Sequence, residues 1–181
     1  MSFASDTESA LVSAAVLVNT ARGGRELLPD QAALTALLDA DNWTGRRDGT
    51  ADELHAVQAL RPRLLELWGV TDVDQAVVMV NALLEESGAQ PRLARHDDLG
   101  WHLHVTADDA PLADRMAAEA AMGVLDLIRS GEFTRLRWCE SDKCDAVLVD
   151  LSRNRSKRYC DTGNCGNRAH VAAYRARKSV R

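Results

Sequence analysis

The chain has 181 residues, 46% hydrophobic and 27% charged, which is enough to bury a core without disulfide support. No run approaches the roughly eighteen uncharged apolar residues of a membrane span, and Met1 to Asp6 offers no basic segment leading into an apolar one, so a soluble cytoplasmic protein with no membrane partner is expected. The net charge of −5 hides an asymmetry, because residues 1–133 carry 10 Lys+Arg against 22 Asp+Glu (net −12) and residues 134–181 carry 12 against 5 (net +7). Two regions with different partners are implied.

The fold expected is mainly α (α+β), a helical region over 1–133 with one short β-hairpin, followed by a small module over 134–181. Ser5 with Glu8 and Thr50 with Glu53 have capping-box spacing and mark two helix starts. Asn42 to Gly49 is too polar and glycine-rich for an element and reads as an exposed loop. Leu54, Val57, Leu60, Leu64, Leu67 and Trp68 then form one apolar stripe, which Pro62 should bend or break. A further helix opens at Thr71 and closes near Ser87-Gly88, with Val73, Val77, Val80 and Leu84 on one side.

Between Pro91 and Thr106 the period changes, since Trp101, Leu103 and Val105 alternate with His102 and His104 after the turn residues Asp97-Asp98-Leu99-Gly100. A β-hairpin is expected there. Trp43, Trp68 and Trp101 read as core or hairpin anchors. From Asp109, with Pro111 in the first turn, Leu112, Met116, Gly123 and Leu127 mark a helix that stops at Ser130-Gly131. That glycine is the expected boundary between the two regions.

Two places in the helical region could hold a ligand. His102 and His104 share one face of the hairpin, where they are either a small-molecule or metal site or only a polar sheet face. Asn19-Thr20 followed by Arg22-Gly23-Gly24-Arg25 could receive a small anion on free amides and guanidiniums, or be no more than a helix terminus and turn. No catalytic triad, paired-carboxylate spacing or phosphate-binding loop stands out, so the chain is not read as an enzyme.

All four cysteines, Cys139, Cys144, Cys160 and Cys165, fall in the last quarter of the chain with the pattern C-x4-C-x15-C-x4-C. Clustering of this kind at one end of a helix-rich chain points to a metal rather than to disulfides, with free or redox-active thiols as the alternative. Tetrahedral Zn²⁺ needs two tight reversals, each offering two thiolates. Ala146 to Leu151 supplies a strand-like run between the pairs, and Gly166 to Lys178 is rich in helix formers, so the last cysteine sits at a helix start. A treble-clef-like finger results, and four thiolates leave no open position, so one structural zinc per chain is expected. Loss of that zinc should unfold the tail and spare the helical region.

The basic residues form a connector group, Arg153, Arg155, Lys157 and Arg158, and a helix group, Arg168, Arg175, Arg177 and Lys178. At 100° per residue Arg168, Val171, Arg175 and Lys178 share a face, while Ala169, Ala172, Ala173 and Ala176 form a small-residue side expected to pack on the finger. Such a face suits DNA phosphates, and docking of a protein such as RNA polymerase, or a plain solvated surface, are the alternatives.

The segment Asp150 to Cys160, reading D-L-S-R-N-R-S-K-R-Y-C, and the tetrapeptide Cys165-Gly166-Asn167-Arg168 resemble the CGNR zinc-finger family of bacterial proteins, over about Arg137 to Lys178. Upstream, Val16-Leu17-Val18-Asn19-Thr20 and Arg22-Gly23-Gly24-Arg25-Glu26-Leu27-Leu28 look like the opening of the helical ABATE domain that accompanies this finger. The resemblance implies a stress-induced transcription regulator whose finger binds DNA and whose N-terminal domain senses a small-molecule effector. Pairing into a homodimer would raise the DNA affinity of one small finger, and a zinc-stabilised protein-interaction module is the competing reading.

Overall fold

A computed structural model describes residues 3–95 and 100–179. Its elements are α1 (Ser5–Asn19), α2 (Gln31–Ala40), α3 (Ala51–Gly69), α4 (Val73–Glu86), the hairpin β1 (Arg92–Arg95) and β2 (Trp101–His104), α5 (Leu112–Arg129), a 3₁₀ turn (Phe133–Arg135), a second hairpin β3 (Leu136–Trp138) and β4 (Val147–Val149), and α6 (Cys165–Ser179).

The caps explain where the helices begin. Thr50 accepts from the Glu53 amide at 3.2 Å, but the Glu53 carboxylate reaches past Thr50 to the amides of Asp48 and Gly49, so only half of the expected box forms. Ser5 is no cap, because α1 begins after Ala4 with no side-chain cap at all. There Asp6 takes over, accepting from Thr7 N and, across the molecule, from Leu103 N. The cap of α4 is Asp72 rather than Thr71. Sequence patterning had not singled out α2, a short helix capped by Asp30 that buries only Leu34 and Leu38.

Pro62 lies inside α3, which runs unbroken to Gly69. Proline withholds the amide that would bond the carbonyl of Gln58, and Arg61 Nε donates to that oxygen at 3.3 Å instead. Arg61 is itself buried, pairing with Glu26 at 2.7 Å and donating to Thr20 Oγ1.

Helix α5 is the hub, packed on α1, α3 and α4. Its buried face is made largely of Ala117, Ala118, Ala120, Ala121 and Gly123, small enough for neighbouring backbones to come close. It ends as a Schellman turn: Gly131, at φ +69°, donates to Ile128 O, and Glu132 N donates to Leu127 O.

The first hairpin pairs Leu93 with Leu103 and Arg95 with Trp101, while the expected turn residues Asp97, Asp98 and Leu99 lie outside the described residues. Its faces are opposite to the anchoring role expected of Trp101, which is 68% exposed with Arg95 stacked 5.9 Å from its ring. His102 and His104 are the half-buried side. A period of two fixes which residues share a face, not which face turns inward.

The second hairpin joins two cores. Val147 and Val149 belong to the helical core, and the intervening Leu148 packs with Ala146 and the cysteines. Asn19, at the end of α1, lies against β4 as a further strand would, donating to Val147 O at 2.9 Å and accepting from Val147 N at 2.8 Å. Trp68 Nε1 donates to Leu148 O, and Trp138 Nε1 donates back to Trp68 O.

Candidate metal centre and basic surface

The β3–β4 connection carries Cys139 and Cys144, the loop after β4 carries Cys160, and Cys165 is the first residue of α6. The four sulfurs all lie within 4.8 Å of one another, with Cys144 and Cys160 at 3.7 Å and Cys160 and Cys165 at 3.8 Å. Sulfurs at the corners of a tetrahedron of Zn–S length about 2.3 Å sit about 3.8 Å apart. The cluster is a single zinc-binding site of one structural Zn²⁺ per chain.

Burial pushes the Cys139 thiol up and, with the neighbouring thiols, pushes Cys144 up to about 12. Cys160 is buried too, yet hydrogen bonds from Thr162 and the adjoining thiols draw it down to about 7. Four thiolates at this spacing need a dication in their midst, and metal binding releases their protons.

Several groups position the ligands. Cys160 N donates to Cys139 Sγ at 3.4 Å, and Arg168 Nη2 donates to Cys165 Sγ at 3.0 Å. The glycine held tight by the site is Gly163, where a Cβ would stand 3.0 Å from Cys165 Sγ and 3.5 Å from Cys160 Sγ. Gly166, although next to the ligand Cys165, would meet only Tyr159 at an ordinary 3.6 Å. The tight loop is set by a sulfur packed against Gly163, which ligand spacing does not reveal.

The basic residues divide by what they touch. Arg155 pairs with Glu132, Lys157 with Asp161 and Arg158 with Glu140, and Arg168 is on the Cys165 sulfur. Arg153, Arg175, Arg177 and Lys178 are exposed, and their side chains make no hydrogen bond or ion pair among the described residues. The alanine side of α6 does not pack on the finger: Ala169 is half-buried, but every residue from His170 to Lys178 is exposed. Only the first turn of α6 is seated, by Cys165 and by Gly166 against Tyr159, and the remaining turns project into solvent.

The candidate ligand residues have partners within the chain. Asn19 clamps β4, and Thr20 Oγ1 donates to Leu17 O. Arg22 Nε donates to Asp145 O, its guanidinium pairs with the Asp145 carboxylate at 3.3 Å and lies 5.4 Å from the Trp138 ring, and Gly23 N donates to Asp145 Oδ1. The anion received by this turn is thus a side chain of the cysteine loop, which latches the two regions together. Arg25 is exposed. His102 Nε2 and His104 Nε2 are 3.2 Å apart, and His104 Nδ1 is 3.1 Å from Asp108 Oδ1.

Among the described residues no helix is long and apolar enough to cross a membrane. Residues 12–131 match the family model ABATE, described as "Putative stress-induced transcription regulator", and residues 135–178 match the CGNR zinc finger. No curated protein matches the chain.

Proposed function

Since the chain belongs to the ABATE family, the match covering well over half its length, and carries a CGNR zinc finger, we propose that it is a transcription regulator that binds duplex DNA through α6 and the neighbouring connector. The observation that carries this reading is a zinc-anchored helix standing in solvent, on which the side chains of Arg175, Arg177 and Lys178 are exposed and pair with no carboxylate among the described residues. Cations left unpaired on a projecting helix are free to displace counterions from a phosphate backbone, whereas Arg155, Lys157 and Arg158 must first leave or share a carboxylate. Arg175 and Lys178 lie on the Arg168 face, and Arg153 adds from the connector a further cation unpaired among the described residues.

Binding of the intact protein to duplex DNA across a salt series tests this. Three or four phosphate contacts give a log–log slope of about −3 to −4, and the combined Arg175→Gln and Lys178→Gln substitutions lower it by about 2. Affinity indifferent to salt, or no binding at about 50 mM salt, refutes the proposal.

A second reading, a zinc-stabilised module that docks a protein, is favoured by Val171 and Tyr174, 47% and 60% exposed on the same helix. It requires that charge reversal at Arg153, Arg155, Arg175 and Lys178 disrupt a co-purified complex while DNA affinity is nil. We further propose that the helical domain is the effector sensor. Its apolar cleft, lined by Val16 and Leu17 of α1, Leu37 of α2, Trp43, Leu64 of α3 and Met116 of α5, has room for only about 10 Å³, so an effector would need these helices to part.

A further inference from the structure

Where the 3₁₀ turn, β3 and the segment after β4 meet lies an open recess of about 310 Å³, lined by Thr134, Arg135, Arg137, Asp150 and Arg155. Three guanidiniums meet there. Arg135 is 5% exposed and stacks on Phe3 at 5.7 Å. Its Nε pairs with Glu132 and its Nη1 donates to Asp150 O and Ser152 O. Arg137 spends both terminal nitrogens on Asp150, Glu140 and the carbonyls of Arg155 and Lys157. Arg155 gives Nη2 to Glu132. Among the described residues, Nη2 of Arg135, Nε of Arg137, and Nε and Nη1 of Arg155 bond to no acceptor.

The carboxylates beside them are already spent. Asp150 is fully buried and accepts from Ser152 N and Oγ, Lys157 N and Arg137; these hydrogen bonds outweigh its burial and hold it below the usual carboxylate range. Glu132 is shared by Arg135 and Arg155. Glu140 bridges Arg137 to Arg158 and balances the latter. Three carboxylates therefore share four guanidiniums, Arg158 included, leaving one unbalanced positive charge and a set of unused N–H donors around a recess that Thr134 also lines. Several guanidinium donors converging from different directions suit a tetrahedral oxyanion with acceptors on every side.

We propose that this recess binds a phosphate-type oxyanion, either a backbone phosphate of DNA held by the finger or a free phosphate or phosphomonoester. The site stands on its own lining and does not require α6 to bind DNA.

The test uses the zinc-loaded full-length protein with inorganic phosphate as probe, titrated by calorimetry at constant ionic strength, together with duplex DNA over a salt series. Arg155→Gln removes two unused donors and is expected to weaken phosphate binding by about tenfold or more, while Arg175→Gln, outside the recess, leaves it unchanged. Thr134→Val, which disturbs no ion pair, is expected to weaken it severalfold and decides the matter if Arg155→Gln fails to fold. A fall of about 0.9 in the DNA salt slope on Arg155→Gln identifies the backbone as the source; lost phosphate binding with an unchanged slope identifies the free anion. Should phosphate bind the folded variants as it binds the parent, or not bind at all while the slope is unmoved, the site is overturned. Phosphate binding without any DNA binding refutes the regulator reading and leaves this one standing.

Discussion

Arg168 sits where two roles compete, on the outward face of a helix proposed to meet DNA and 3.0 Å from a ligand sulfur. A guanidinium donating to a zinc-bound thiolate offsets part of the charge of four sulfurs around one dication. Groups in this position commonly change metal affinity by about 10–100-fold. Arg168→Ala is therefore expected to lower zinc affinity by at least roughly tenfold in competition with a chromophoric chelator, and a variant that holds zinc as tightly as the parent would show that the arginine serves only the surface. Glu119, half-buried on α5, poses a second question at this scale. Burial, reinforced by Asp41 and Asp6 and opposed by Arg115, raises its pKa to about 7 from an ordinary 4.5. A folded value above the unfolded one means that the fold favours the protonated acid. Its contribution to stability is complete below about pH 4.5 and lost as pH rises through 7. Thermal denaturation should give Glu119→Gln roughly 1–2 kcal/mol more stability than the parent at pH 8 and little difference at pH 4.5; a gain of equal size at both pH values would mean the carboxyl is not what titrates.

Among the elements, α5 decides how closely the helices approach. A Cβ added at Gly123 would stand 3.0 Å from Leu11 Cγ, and Leu11 has no exposed surface into which to retreat. Gly123→Ala gains helix propensity but overpacks this contact, so we expect a net loss of about 1–3 kcal/mol in urea unfolding; a stabilised variant would mean that α1 yields at this point. The sequence pattern marked α5 well because its signals are local, Pro111 at one end and Gly131 at the other. The same holds for the cysteines, whose spacing encodes two reversals whatever the rest of the chain does. Features that depend on distant partners were not legible. The exposed face of β2 depends on what lies beneath it, Pro62 is tolerated because Arg61 fills the gap it leaves, and Ala172, Ala173 and Ala176 of α6 face solvent rather than the finger. The arginine recess joins Thr134 to Arg155, and nothing in the spacing of those residues announces it.

At the scale of the whole molecule, the charge asymmetry and the cysteine cluster suggest a tail that folds or unfolds on its own. The packing argues otherwise. Val147 and Val149 sit in the helical core while Leu148, between them, packs on the cysteines. The same strand is clamped by Asn19, Trp68 bonds to Leu148 as Trp138 bonds to Trp68, and Asp145 is latched by Arg22 and Gly23. Removing zinc lets the ligand sulfurs take protons back and frees the loops that carry them, and β4 cannot keep two valines seated in one core while its neighbours lose the other. Full burial of each valine is worth about 1.5–3 kcal/mol, and in a chain of this size each kcal/mol corresponds to about 2–4 °C. If half of that burial is lost, chelation should lower the unfolding temperature of the helical core by roughly 3–12 °C, in addition to abolishing order in α6. Scanning calorimetry of zinc-loaded and chelated protein reads this directly. A helical transition at the same temperature in both samples would show that the finger is an appendage after all, whereas a joint shift makes the zinc a support of the helical domain as well as of the helix that projects from it.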